Sequence, residues 1–330
     1  MLDSTRYSVL GSTFSPHRDR FMPSWPGHKP TPTELIQAAA EIDALSGIEL
    51  INPAHVTPDN VADIKGVLEA NGLACASIAN SISSDWQYRG GALTADDPAI
   101  RAKAIDTVKD GLDMAMELET GRVNLWLGRE GFDYAFQIDY NLAWGRLVEA
   151  LEELCAYQPE VKIGIEYKSF EPRKHLLACN APKVLVLKHE VGADNLGVLL
   201  DTGHALYAQE NLAESVALLA RHDALVHVHF NDNYRLADDD LIVGTVNFLE
   251  TMEMLYWLDR VGYDGWLSFD PHPVLEDPVR SVEEGCKFVD GLISTMESIG
   301  DGPIREAIAT RQVTEMMALL NATLWGTRDA

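Results

Sequence analysis

At 330 residues with 46% hydrophobic side chains, the chain is long enough for one large α/β barrel plus an extension, with apolar content for a sizeable core. Its 26 Lys and Arg stand against 51 Asp and Glu, a net charge of −25. That excess repels phosphate backbones and anionic lipid surfaces, which argues against nucleic acid and membranes and favours a neutral small molecule or a cation. The four cysteines, Cys75, Cys155, Cys179 and Cys286, are scattered and form no CxxC, so neither a zinc knuckle nor a disulfide framework is expected. The opening MLDSTRYSVLGST lacks the basic-then-apolar pattern of a secretory signal, and no apolar run approaches the ~20 residues that cross a bilayer. The cytoplasm is the expected location.

In chain order the pattern is strand, loop, helix, repeated. Tyr7–Gly11 reads as a strand, followed by a long loop from Ser12 to Pro32 and a helix over Thr33–Leu45, with Thr31 or Thr33 as its N-cap. Gly47–Ile51 is a second strand and Pro58–Asn71 a helix that Gly72 can terminate. Leu73–Ala79 is a third strand; the loop after it carries Trp86, and Pro98–Leu118 is a long amphipathic helix. Strands then follow at Arg122–Leu127, Lys162–Tyr167, Leu196–Asp201, Ala224–His229 and Gly265–Asp270. They alternate with helices at Asn141–Ala156, Pro182–Glu190, Glu210–Ala220, Asn247–Asp259 and Ser281–Glu297. Eight strands alternating with eight helices predict an α/β fold, a (β/α)8 TIM barrel spanning residues 1–298. A C-terminal helical extension occupies 299–330, with one helix expected over Pro303–Leu320 that docks on a partner subunit or on its own barrel. An open doubly wound sheet is the alternative, but no Gly-rich phosphate loop follows the first strand.

Four consecutive strands end in a potential metal ligand: Glu166, Asp201, His229 and Asp270. Each is one strand–helix unit from the next, so all four emerge at the C-terminal mouth, where barrel chemistry sits. Three carboxylates and an imidazole suit Mn²⁺, Co²⁺ or Mg²⁺, and the imidazole tilts the choice toward the first two. A second cation site is expected if Asp201 bridges to His204 in DTGH and to Asp238 and Asp240 in the triplet Asp238–Asp240. Asp239 points between them. The cofactor expected is therefore two divalent ions per chain. His227, two residues before His229, shares its face and reads as a deeper, satisfied core histidine. Lys168, on the face of Glu166, is placed to stabilise an oxygen gaining negative charge. Trp126 offers an apolar wall to a sugar, and Trp86 and His272 are further substrate-binding candidates.

At these residues the sequence resembles the xylose isomerase superfamily, including actinobacterial-type xylose isomerases and L-rhamnose isomerases. NLWLGREG (Asn124–Gly131) is similar to the family's LWGGREG, and IEYKSFEP (Ile165–Pro172) to IEPKPNEP. DTGH (Asp201–His204) is similar to ETGH, DDDLIVG (Asp238–Gly244) to DQDLxFG, and FDPHP carries the last ligand, Asp270. The likeness covers roughly residues 90–273. It implies aldose–ketose isomerisation by a metal-assisted hydride shift, with Lys168, Glu166 and Asp240 catalytic. It also implies Trp126 as the substrate wall, Glu171 as a substrate-binding acidic residue near the lysine, and a homodimer or homotetramer acting on a carbohydrate. Three departures bear on the substrate. His229 stands where xylose isomerases have aspartate, as in L-rhamnose isomerases and sugar 3-epimerases. No histidine occupies Ile51–Asn52, where the ring-opening histidine falls, and His55 is offset. SISSDWQYRGG replaces the aromatic-bearing substrate loop.

The alternative chemistry is proton transfer at a single metal, by a ketose 3-epimerase or by the catalytic subunit of a C-glycoside deglycosidase acting on a 3-keto sugar. Those sites need a general base opposite the metal. Asp270, shorter than the usual glutamate, and the DDDL stretch favour the isomerase. A non-catalytic sugar-binding barrel is a third class, disfavoured by the complete ligand set.

Overall fold

The computed structural model describes Leu2 and residues 6–15 and 28–326. The greater part of the loop expected from Ser12 to Pro32 lies outside the described residues. Ten strands are present among the described residues. They are β1 (Arg6–Leu10), β2 (Leu45–Asn52), β3 (Ala74–Asn80), β4 (Arg122–Trp126), β5 (Gly131–Phe132), β6 (Lys162–Glu166), β7 (His175–Leu176), β8 (Leu196–Asp201), β9 (Leu225–Phe230) and β10 (Trp266–Phe269). Eight of them close into a parallel barrel in the order β1-β10-β9-β8-β6-β4-β3-β2. β5 and β7 form a separate two-stranded antiparallel ribbon over the mouth. Strands buried on both faces read as near-continuous apolar runs, as in LGVLL of β8, because side chains fill the barrel and helices cover it.

Helices α1 (Pro32–Ala40), α2 (Val61–Ala70), α3 (Pro98–Glu117), α4 (Tyr140–Tyr157) and α5 (Ala181–Val191) follow the first strands. α6 (Thr202–Tyr207), α7 (Leu212–Arg221), α8 (Phe248–Arg260) and α9 (Pro278–Ile299) complete the ring. Short polar side chains set where they start. Thr31 makes a capping box with Glu34, and Asp97, Asp139, Asn180, Asn211 and Asp277 each accept a backbone N–H of the first turn. No helix among the described residues is long and apolar enough to cross a membrane.

The differences from the sequence reading are local. The first helix stops at Ala40 rather than Leu45, because Leu45 already pairs with Tyr7 in the barrel and the chain must turn in between. α6 was not anticipated: six residues are too few for a 3.6-residue period to show. The single helix expected over Pro303–Leu320 is two, α10 (Asp301–Thr310) and α11 (Val313–Trp325), parted where Arg311 takes a left-handed φ of 55°. Their buried Ile304 and Leu320 join the barrel's own apolar core, while Val313 and Trp325 face outward.

Candidate active site

β6, β8, β9 and β10 are consecutive in the barrel, and their C-terminal ends bring one atom each of Glu166, Asp201, His229 and Asp270 within 4.8 Å of one another. Asp201 and His229 are direct register partners. His229 Nδ1 lies 3.4 Å from Asp270 Oδ2, 3.7 Å from Asp201 Oδ2 and 4.0 Å from Glu166 Oε1. All four side chains are buried, and neither His229 Nδ1 nor Asp270 Oδ1 has a hydrogen-bond partner. Buried polar atoms are rarely left so, and this donor set fits a divalent cation that takes oxygen and imidazole ligands. The outer atoms of the same residues are held: Asn124 Nδ2 donates to Glu166 Oε2 at 2.7 Å, and Asn231 Nδ2 donates to both Asp201 oxygens at 3.2 and 3.0 Å. Asp201 also caps α6, accepting the His204 N–H at 2.9 Å. The cap and the cluster thus use the same carboxylate.

Asp201 belongs to a second group with His204 and Asp238. His204 Nε2 is 3.3 Å from Asp238 Oδ2, and its Nδ1 is 3.5 Å from Glu166 Oε1. Lys168 Nζ donates to Asp238 Oδ2 at 2.7 Å and lies 3.3 Å from Glu171. Burial drags the His204 pKa down, but Asp201 and Asp238 outweigh it and bring it to about 9. Burial pushes Asp238 up, yet His204 and Lys168 hold its carboxyl far below the usual carboxylate range. The same opposition acts at Asp201, where burial raises the pKa and His204 and His229 leave it lowered. Glu166 goes the other way: burial, with the charges of Asp201 and Asp270, raises it more than the two histidines lower it.

Asp240 is not in this second group. It is half-buried, with a left-handed φ of 49°, and its carbonyl accepts the His272 N–H at 2.8 Å. Surrounding protein, then the charges of Asp238 and Asp270, push its carboxyl well above the ordinary value, so it is suited to carry a proton. His272 Nε2 lies 3.6 Å from Asp270 Oδ1, at the edge of the first group.

The Trp126 ring faces Lys168, whose Nζ is 5.7 Å from the ring centroid. Gly128 lies against the indole: a Cβ there would sit 2.6 Å from Trp126 Cζ2, so any larger residue displaces the ring. Trp86 is 75% exposed and stacks on Arg89, whose Cζ is 4.2 Å from the ring centroid. Behind the mouth, Glu130 is fully enclosed and accepts the N–H groups of Ala92, Leu93 and Thr94 at 3.0, 2.9 and 3.1 Å, plus the Thr94 hydroxyl. It pins the loop after β3 to the loop after β4.

One charged group escaped the sequence reading. Glu49, midway along β2, is fully buried and accepts from His227 Nε2 at 2.8 Å, from His229 Nε2 at 3.1 and 3.2 Å, and from the Ser268 hydroxyl. His227 lies deeper, as expected, and its Nε2 is satisfied by Glu49, while its buried Nδ1 has no hydrogen-bond partner. The signal for Glu49 was a lone carboxylate inside the apolar strand GIELI, which has no cheap place in a barrel interior without partners.

The fold and the site define a (β/α)8-barrel enzyme built around a carboxylate–imidazole centre at the strand ends. The family described as "Xylose isomerase-like TIM barrel" matches residues 36–292, and the chain belongs to it. The chain is 27% identical to the xylose isomerase of Thermus thermophilus over 273 residues, covering 77% of this chain and 70% of that protein. Among solved structures, a D-tagatose 3-epimerase-like protein superimposes with a TM-score of 0.68 at 21% identity, covering 88% of this chain and 99% of the other. A 3-keto-D-glucoside 4-epimerase from E. coli does so with 0.66 at 13%, covering 87% and 99%. These two likenesses are of fold.

Proposed function

We propose that this enzyme is a metal-dependent aldose–ketose sugar isomerase working by hydride shift. The observation that carries the reading is that Asp201 belongs to two adjoining ligand groups, with a buried lysine beside the second. Glu166, Asp201, His229 and Asp270 would hold one divalent ion; Asp201, His204 and Asp238, with Asp240 beside them, would hold another. The ions supply positive charge that anchors and polarises neighbouring oxygens of an open-chain sugar. Lys168 keeps an ammonium at the mouth and donates to the aldehyde oxygen at C1 as it gains charge. Asp240, with its raised pKa, takes the proton of the C2 hydroxyl. The C2 hydrogen then moves to C1 with its electron pair, C2 becomes the carbonyl, and the proton returns to the oxygen at C1. Trp126 covers the reacting carbons and keeps water from exchanging the migrating hydrogen.

A second reading is proton transfer at a single metal, as in a ketose 3-epimerase. It is favoured by the Lys168–Asp238 pair, which already neutralises one carboxylate of the second group. Both readings make the chain a sugar-modifying enzyme with a carbohydrate substrate. An aldose panel run with Mn²⁺ in D₂O separates them. The isomerase converts an aldose to a ketose without solvent deuterium at carbon, and binds two ions per chain. One ion per chain, with deuterium at C3 of a ketose and no aldose turnover, would establish the epimerase instead.

A further inference from the structure

The buried Glu49 has no part in the chemistry above, and its hydrogen bonds determine which nitrogen His229 can offer. Glu49 accepts from the Nε2 side of both His227 and His229, and from Ser268. A carboxylate only accepts, so each imidazole carries a hydrogen on Nε2, and Nδ1 is the lone pair whenever the ring is neutral, as a metal ligand must be. At His229 that lone pair is the atom facing Asp270, Asp201 and Glu166. The contacts to Glu49, 2.8 to 3.2 Å, are hydrogen-bond lengths, and Glu49 accepts the Ser268 hydroxyl as well, so the deeper trio is joined by protons.

We infer that Glu49 is a positioning residue, which holds His229 as the Nε2–H tautomer and aims Nδ1 at a divalent cation shared with Glu166, Asp201 and Asp270. The need for it is local. An imidazole beside three carboxylates gains most by putting its own hydrogen on Nδ1 and donating it to Asp270, the nearest of them. That tautomer occupies the ligand position. Glu49 supplies a competing acceptor on the far side of the ring, in a fully buried site where a hydrogen bond to a full charge is strong. His227 lies on the same carboxylate but faces no ligand group with its Nδ1, so it shares the anchor without sharing the role.

The inference rests on the metal-dependent reading and is tested on binding rather than turnover. The full chain is stripped with chelator and titrated calorimetrically with Mn²⁺ alone. Glu49→Gln is expected to weaken the tight site by about ten- to a hundredfold, while His227→Asn stays within about threefold of wild type. In a His229→Asn background Glu49→Gln should cost nothing further, an outcome a purely structural role would not give. Long-range ¹H–¹⁵N spectra of the Zn²⁺-loaded protein should place the His229 hydrogen on Nε2, and Glu49→Gln should lose that signature. Should Glu49→Gln not fold, Glu49→Asp, which draws the acceptor back by one methylene, is titrated in its place, with a smaller loss expected. Binding by the folded variant within about twofold of wild type, or an equal loss in the His229→Asn background, overturns the positioning role and leaves the metal reading standing. A wild-type chain that binds no Mn²⁺ overturns both.

Discussion

Lys168 carries a positive charge into the most acidic part of an acidic protein. Burial lowers its pKa, but Asp238 first, then Asp240 and Glu171, more than reverse this and hold it above the ordinary lysine range. It is therefore a fixed ammonium over the working pH range and cannot serve as the base; its part is to meet negative charge that develops on substrate oxygen. Lys168→Met removes that charge and keeps most of the volume against Trp126. Turnover on the best substrate should fall by about 10²- to 10³-fold, comparable to losing one preorganised donor to an oxyanion. The first ligand group, which Lys168 does not contact, should keep its Mn²⁺ affinity. A kcat within a few-fold of wild type, read beside a Mn²⁺ titration, would remove Lys168 from the mechanism. Residues of this kind were legible in the sequence because strand ends and βα loops put polar groups at predictable positions. Glu49 was not, because its meaning depends on β2 facing β9 across the barrel, a relation no local pattern carries.

At the scale of elements, apolar strands bounded by Gly, Asp and Asn fixed the barrel within a residue or two per strand, and Leu196–Asp201 without error. What failed had no periodic signature. α6 is too short, the β5–β7 ribbon is two residues per strand, and the α10–α11 break is made by an arginine in a conformation usually left to glycine. The loop after β3 is likewise invisible as a pattern, yet Glu130 fixes it. Burial pushes the Glu130 carboxyl up, while Thr94 and three backbone N–H groups counter it by bonding the charge. Glu130→Ala leaves those three N–H groups in the interior without their acceptor, each worth about 1–3 kcal/mol. A loss of about 3–5 kcal/mol in urea-unfolding stability is expected, with protease nicking in the loop that carries Trp86. A change below about 1 kcal/mol would mean that water replaces the carboxylate and that the loop is held by other contacts.

At the scale of the whole molecule, the centre gathers several carboxylates and two imidazoles where water cannot screen them, within a chain of net charge −25. Without a cation, protons must supply the missing positive charge. His204 has a folded-state pKa raised to about 9, because Asp201 and Asp238 overcome burial. His229 is raised as well, burial being overcome chiefly by Glu49. A group whose pKa is higher folded than unfolded stabilises fully below its unfolded value, about 6.5 for histidine, and loses that contribution as pH rises through the folded value. The metal-free protein should therefore keep this stabilisation in full below about pH 6.5 and weaken between about pH 6.5 and pH 9, by on the order of 2–3 kcal/mol from His204. The lowered Asp201 and Asp238 do not offset this, since their contribution is complete well below that window. A divalent cation replaces those protons and competes with them, so it binds more tightly as pH rises. Melting temperatures measured in EDTA and in Mn²⁺ should diverge steadily across the window, the EDTA curve falling while the Mn²⁺ curve stays level. His204→Asn should flatten much of the fall in EDTA. Parallel curves would show that protons and cation do not share these ligands, and the metal centre would have to be sought elsewhere in the barrel.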